Sequence, residues 1–501
     1  MKFNVDKLKG HSFPLLAFII PMAIRFVPEL IAWPYPIGFD TLIYADIIVR
    51  GTYLKMGIAK LLKSTSLFYL ASSAANMAFG DPILTLKLLA PILFGLLCGS
   101  IYIYCRKALG WSQLKALAAS LLTGTYFVSL RISWEMNRQM LGFTFLMAGL
   151  TALRIRNVRL GLALTALFGF LAAWSHELAA VLFLVVMAVH FLAGRGPRSR
   201  LDLAVAAAPA LLLFLYQRYN PAAGTLQIPS QTFVSASWID AFSFISGFIA
   251  YMFLPLLPLA VLGATSHRSL DVWSWIATCL LFAYWPLFLP QKSVVLWFRW
   301  AILLVYPIIL LSVEGLERLW GLGRKIFWKL NLGGALALSI ILLNATMSGY
   351  YLASPPEHAF KYFGEWNNYK QFIQTSMLQN TVSLVDTPNV IEALKWIGRE
   401  AAESDCVLVL HEAVGYWARI LIGQAKIILV KEAGLSWQLR ENAAARLVAY
   451  AEENATNGSQ VYTVWWVDGK GWYGMPELPP QFREIQRFGN IGVFAYSRGA
   501  A

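Results

Sequence analysis

The sequence is poor in charge. Only 14% of its 501 residues are Asp, Glu, Lys or Arg, against 58% hydrophobic. That composition excludes an ordinary soluble enzyme, in which about a quarter of residues are charged. Cysteine is scarce as well. Cys98, Cys105 and Cys279 lie in apolar runs and Cys406 opens a β-rich run, so the chain carries no disulfide framework and no redox compartment can be read from it. The C-terminal part holds no Gly-rich phosphate loop and no metal-ligand cluster, and no convincing internal repeat is present. The net charge of +14 does not point to nucleic acid as a partner, because most cations before residue 356 sit in short clusters between apolar runs, as the positive-inside rule expects.

What the chain does have is long apolar stretches. Eleven of them, near residues 13–32, 84–104, 114–130, 140–153, 160–174, 179–193, 201–216, 242–263, 271–289, 296–313 and 332–352, approach the roughly 20 residues that cross a hydrocarbon core of about 30 Å. The first is interrupted by Pro21, Arg25 and Pro28 and lacks a small-residue cleavage site, so it reads as a retained span. With the N-terminus cytoplasmic, the turns up to Lys329 place 17 Lys or Arg inside and 10 outside. An odd number of spans then sends the C-terminal domain out of the cytoplasm. The expected architecture is a mainly α polytopic membrane domain over 1–353, with an external loop over 33–83, followed by a small extracytoplasmic α/β domain over 354–501. Within the loop, residues 38–50 and 66–79 read as helices lying against the outer face.

After Pro355 charge returns and the apolar runs shrink to strand length. A helix over 387–402, strands over 406–412 and 426–431, a helix between them, another over 436–455, a strand over 460–467 and a terminal strand pair over 482–498 predict a sandwich with a partly parallel sheet. Sequons at Asn454 and Asn457 suit an external location.

The outward turns collect the ionisable residues that ask for a role: Asp40, Asp46, Asp81, Arg131, Glu135, Arg138, His176, Glu177, Arg218, Lys292 and Arg299. Charge at membrane depth is costly and marks candidate sites. Each also has a plain structural reading. Asp46 is one helical turn from Arg50 and pairs with it; Asp40 caps the helix that follows. Arg131 and Arg138 are at ion-pair spacing from Glu135, which either neutralises them or leaves a cationic site for an anionic head group. His176 and Glu177 form a pair in the turn between two spans. Arg299, inside "VVLWFRWAILLVYP", either snorkels to the interface or meets a lipid phosphate.

The stretches "YPIGFDTLIYADIIVRG" and "SLFYLASSAANMAFGDPILTLKLLAPILFGLLCGSIYIYCRKALG" resemble the N-terminal region of GT-C superfamily glycosyltransferases, which include protein mannosyltransferases and lipid A aminoarabinose transferases. There an acidic residue near the start of the first external loop is followed four residues on by Tyr, and an amphipathic helix ends in Phe-Gly before the second span. The resemblance implies transfer of a sugar, hexose or pentose, from a polyprenyl-phosphate donor to a protein or lipid-linked glycan acceptor at the outer face, with inversion. It makes Asp40 the general base and places Tyr44 beside it. Arg131, Arg138 and Arg299 are assigned to the donor phosphate from topology. Asp81, Glu135, His176, Glu177 and Lys292 complete the candidate substrate contacts. No cofactor is called for; a divalent metal is left open, since Asp40 alone is a poor cage for one.

Two departures stand out. Many relatives have two adjacent acids in the first loop, whereas Asp40 is followed by Thr41. "VWWVDGKGWYG" (464–474) resembles the Trp-Trp-Asp-Tyr-Gly signature of oligosaccharyltransferases, but Val467 is inserted before Asp468. Two other functions remain. A lipid or polysaccharide transporter would line its path with charges near mid-span, and a non-catalytic scaffold would need none of these residues.

Overall fold

The computed structural model describes residues 5–194, 198–221, 225–226, 230–231, 237–290, 293–294, 296–326, 332–358, 369, 372–403, 406–422, 426–430, 443–455, 460–467 and 477–497. Packing divides the chain into two compact units. One comprises Met1–Pro28, Tyr53–Ala75 and Leu88–Met377; the other comprises Glu29–Thr52, Asn76–Lys87 and Leu378–Ala501.

Every one of the eleven apolar segments is helical, but they are not equal. Among the described residues six helices are long and apolar enough to cross a membrane: Ser12–Ile31, Pro82–Lys107, Val158–Ser175, Arg200–Arg218, Trp297–Trp320 and Gly333–Ala353. Two bent pairs raise the number to eight, Gln113–Thr125 with Phe127–Glu135 at 61° and Trp238–Phe253 with Leu257–Ala264 at 92°. Glu177–Ala193 and Leu270–Ala283 are apolar but shorter, and Asn137–Ala152 has 16 residues. Apolar runs record burial as well as span length, which is why the sequence shows more segments than full-length spans.

The breaks have local causes. Pro255 and Pro258 interrupt the second pair, with Pro258 in the first turn of Leu257–Ala264. In the first pair Tyr126 leaves helical geometry (φ −79°, ψ 129°) and its hydroxyl donates to the Met252 carbonyl, so the two bends are tied together. A further break at Met136 (φ −90°, ψ 51°) ends Phe127–Glu135. The Ser133 carbonyl, deprived of its continuing helical partner, accepts from Arg25 Nε and Nη2 at 3.2 Å. Leu257–Ala264 and Val305–Ile326 cross so closely that a Cβ on Gly263 would strike the Leu311 carbonyl, and one on Gly315 the Leu259 carbonyl.

The membrane unit runs on to Met377, past the expected boundary at 353, because Tyr369 and Phe372 pack among its aromatics. Phe372 stands 5.3 Å from Phe248 and 4.9 Å from Phe298; Tyr369 stands 5.2 Å from Phe244.

A buried polar cluster joins four of its helical segments. Asp271 accepts from Tyr104 Oη at 3.0 Å, pairs with His190 Nε2 and lies 3.6 Å from Arg154 Nη2, with its side chain 3% exposed. Removing one partner of such a network leaves the others buried without their counter-charge. Asp271→Ala is expected to cost about 3–5 kcal/mol and to lower the thermal midpoint of the purified protein clearly. An unchanged midpoint would show the cluster to be structurally idle.

The second unit is built on a five-stranded sheet with the order Lys426–Val430, Cys406–His411, Gln460–Trp466, Ile491–Tyr496, Phe482–Phe488. The first three strands are parallel and the last two run antiparallel to their neighbours. Cys406–His411, buried at every residue, is the central parallel strand. Val390, Ala393, Leu394 and Ile397 present the apolar stripe of helix Thr387–Glu403 to this core. Leu42 belongs to the same core. The first-loop helix Phe39–Arg50 is thus a component of the sheet unit, fastened by Gly38 N to Gln379 O at 2.9 Å and Asn380 Nδ2 to Pro36 O at 3.2 Å. The Asp468–Gly474 part of the Trp-Trp-Asp-like string, Asn457 and the whole of 431–442, including the start of the expected helix over 436–455, lie outside the described residues.

Candidate active site

In the sheet unit, Gly38 (φ 91°, ψ 130°) takes a backbone conformation that side-chain-bearing residues rarely adopt and turns the chain into helix Phe39–Arg50. Asp40 therefore falls in the first turn of that helix and is not its cap, which corrects the capping expectation. It is partly exposed, and its charge is favoured there by the helix dipole. Tyr44, one turn on, is buried.

Asp46 pairs with Arg50 as its spacing predicts, Nε to Oδ1 at 2.8 Å, and its other oxygen lies 3.5 Å from Arg419 Nη1. Both carboxylate oxygens are engaged, so Asp46 does not supply the second acid. Asp81 does not either: its Oδ1 accepts from Ile83 N at 2.8 Å and Leu84 N at 3.1 Å, capping the helix that begins at Pro82. Beside the acids stands Tyr416. Burial pushes its phenol up to about 12, with Glu412, Asp46 and Asp40 adding to the shift and Arg419 opposing it. It therefore keeps its proton throughout the working range and presents an O–H near Asp40. Sequence reading passed over Tyr416 and Arg419. Their signal was the amphipathic run "VGYWARILIG", which reads equally well as plain packing.

In the membrane unit four helix ends gather the cations. Gly142 brings helix Asn137–Ala152 against the next turn, where a Cβ would meet Ala179 and His176 Cβ atoms at 3.0 and 3.1 Å. Arg138, one helical turn before Gly142, extends along the same face. It bonds to the Thr65 hydroxyl and lies over the Tyr69 ring at 5.2 Å; that ring stacks on Tyr53 at 4.7 Å. Arg218, at the end of Arg200–Arg218, lies 3.5 Å from Glu177 Oε2. Burial pushes the Glu177 carboxyl up, but the charges around it, the guanidinium groups of Arg138, Arg218 and Arg299 among them, outweigh burial and hold it below the usual glutamate range. Glu177 is thus ionised, with three guanidinium groups close enough to act on it.

His176 caps helix Glu177–Ala193, its Nδ1 accepting from Leu178 N at 3.2 Å. Burial drives its pKa down to about 3, only partly opposed by Glu177 and reinforced by the three arginines. The ring is neutral at physiological pH. An unfolded chain would protonate it near 6.5, so between about pH 6.5 and 3 the unfolded state binds more protons and stability falls as pH falls. His176→Asn, which can still cap, is expected to flatten this acid loss in a pH series of thermal midpoints; an unaltered slope would assign the loss to other groups.

Arg299 enters on the short helix Trp297–Ile302, directly after Leu296 in the left-handed region (φ 62°, ψ 41°), a conformation that costs a non-glycine residue about 1–3 kcal/mol. Its Nε is buried and has no hydrogen-bond partner, and among the described residues no carboxylate forms a salt bridge with it. A buried N–H of a permanent cation without an acceptor is expensive.

Arg131 and Glu135 leave the list of candidate contacts. Arg131 Nη2 pairs with Glu135 Oε1 at 2.6 Å, Nε donates to the Phe372 carbonyl at 3.1 Å, and both side chains are buried. Arg131 thereby holds Phe372, and Trp134 Nε1 donates to the Met377 carbonyl at 2.9 Å. The break at Met136 removes the helical spacing that related Glu135 to Arg138. Lys292 lies outside the described residues. Arg218 was visible only as one outward charge among many, since its partner Glu177 is distant in sequence.

No family model and no curated protein matches the sequence. Among solved structures the chain is similar to the Archaeoglobus fulgidus oligosaccharyltransferase, described in complex with Zn and sulfate, with a TM-score of 0.51 and 13% identity over 91% of this chain and 68% of that one. It is also similar to the arabinofuranosyltransferase AftD from Mycobacteria, with a TM-score of 0.55 and 12% identity over 98% of this chain. The chain spans 40% of AftD. At such identities the likeness is one of fold alone: the chain has the fold of these two proteins. A metal finds no cage in the residues described here. No three His, Cys, Asp or Glu side chains come together among them, and Asp46 and Asp81 are already engaged.

Proposed function

We propose that the protein is an inverting glycosyltransferase that moves a sugar from a polyprenyl-phosphate donor to an acceptor hydroxyl at the outer face of the membrane. The observation that carries this reading is the arginine cluster with Arg299 at its edge. Three permanent cations act on one carboxylate, Arg218 forming a salt bridge with it at 3.5 Å, and Arg299 keeps a buried Nε–H without an acceptor. This is a demand for an anion, and guanidinium groups suit phosphate oxygens. The fold shared with an oligosaccharyltransferase and an arabinofuranosyltransferase and the charges of Arg138, Arg218 and Arg299 acting on Glu177 support it.

In the reaction Asp40 takes the proton of the acceptor hydroxyl as its oxygen attacks the anomeric carbon from the face opposite the phosphate. The bond from the anomeric carbon to the phosphate oxygen breaks, and its electron pair stays on that oxygen. Arg138, Arg218 and Arg299 stabilise the charge that develops there. Asp40 ends protonated, the sugar is inverted, and polyprenyl phosphate remains. The positive-inside count favours an N-terminus in the cytoplasm and the sheet unit outside.

The transporter reading gains little, because Asp271, His190 and Arg154 sit at or beyond helix ends and compensate one another. The experiment is sugar transfer in vitro by the purified full chain, using short-chain isoprenyl-phosphate sugars. Transfer that disappears with Asp40→Asn supports the reading; absence of transfer across hexosyl and pentosyl donors with lipid-linked and peptide acceptors counts against it.

A further inference from the structure

The carboxylate at the centre of the arginine cluster is unexplained by donor binding alone. A site that only had to hold phosphate would do so better without an anion of its own. Glu177 is not there to cap the helix, since His176 does that. Its side chain is 35% exposed and lies 3.5 Å from Arg218, and the charges of Arg138, Arg218 and Arg299 favour its ionised form. Three arginines and one glutamate give a cluster of net +2, the neighbouring His176 being neutral.

We propose that Glu177 is a built-in counter-anion that sets the strength of the cluster so that the phosphate left after transfer can be released. The proposal rests on the donor-phosphate reading above. A sugar-phosphate diester carries one negative charge, whereas the monoester remaining after the sugar departs carries about two at neutral pH. The arginines therefore grip the product harder than the donor, and turnover suffers if that grip becomes too strong. A carboxylate within the cluster repels a dianion twice as strongly as a monoanion, because Coulomb energy scales with the product of the charges. Glu177 thereby weakens product binding more than donor binding. It also occupies Arg218 when no phosphate is bound. Glu177 is a positioning and tuning residue here; it takes no proton and contacts no reacting atom.

The charge argument yields a quantitative signature that a merely structural residue would not produce. Replacing Glu177 with Gln raises the cluster to +3 while keeping the side chain's shape. If the diester binds about fivefold more tightly, the monoester gains about the square of that factor, roughly 25-fold, since its interaction energy is doubled. In turnover, the KM for donor falls, kcat falls, and inhibition by product strengthens.

The test is direct binding to the full-length protein in lipid nanodiscs, wild type and variants, using three probes with the same short isoprenyl tail: the free phosphate monoester, its methyl phosphodiester and the uncharged alcohol. The expected result is that Glu177→Gln tightens monoester most, diester less and alcohol not at all, while Glu177→Asp, which keeps the charge, holds the wild-type ratio of monoester to diester. Glu177→Ala, a second charge-free variant, should reproduce the Gln ratio and guards against a folding defect peculiar to one side chain. Equal gains for monoester and diester, or weaker binding of both, would overturn the tuning role while leaving donor binding intact. Wild-type protein that binds neither phosphate better than the alcohol would overturn the donor reading itself, and the tuning role with it.

Discussion

Asp40→Asn is expected to lower kcat for sugar transfer by about 10²–10⁴, the range that a positioned general base contributes. Donor binding should hardly change, because the arginine cluster is untouched. Stability should fall by less than about 1 kcal/mol, the ordinary value of an acidic residue in a first helical turn. Asp40 is one carboxylate among several in the sheet unit, and the two other acids weighed beside it are committed. Asp46 is clamped by Arg50 and Arg419, and Asp81 caps a helix. Turnover should therefore not be rescued by a neighbour, and Asp40→Glu should retain part of the activity by reaching the same hydroxyl through one extra methylene. Comparison of kcat and KM in folded, normally expressed protein decides the matter. Full turnover by the Asn variant would remove Asp40 from the chemistry.

Arg299→Gln should reduce transfer by about 10²–10³ through loss of charge stabilisation on the departing phosphate, with a rise in donor KM. The accompanying change in stability separates function from structure. Arg299 has a buried N–H with no acceptor, so neutralising it in the donor-free protein is expected to leave the thermal midpoint unchanged or raise it. Arg299→Lys should recover only part of the activity, because an ammonium retains the charge but not the planar fork that matches phosphate oxygens. A Gln variant that is fully active yet less stable would identify Arg299 as a residue that merely reaches the interface.

Much of this organisation was legible in the sequence, for identifiable reasons. Hydropathy and helical periodicity are local properties, so helices over 39–50, 67–79 and 387–403 and the parallel strands around Cys406 could be read from short windows. The Asp46–Arg50 pair was legible because both partners are on one helical turn. What escaped was long-range. Nothing near Leu42 announces that it packs with Val382 and the strand at Val407, more than 300 residues away. The Arg131–Glu135 spacing was plain, but whether the pair served a ligand depended on Phe372, which offers its carbonyl from a distant segment. Arg138 was coupled to Glu135 on the assumption of an unbroken helix, and Met136 breaks it.

The sequence by itself determined that the chain is an integral membrane protein, roughly which stretches are helix and which are strand, and which residues carry charge near helix ends. Those outcomes follow from composition and from spacing along the chain. Tertiary structure decided the long-range part of charge compensation. Arg131 meets the Phe372 carbonyl, Asp46 meets Arg419, and Arg218 meets Glu177. The physical reason is that the electrostatic free energy of a charge depends on its neighbours in space, and these neighbours come from turns far apart in the chain.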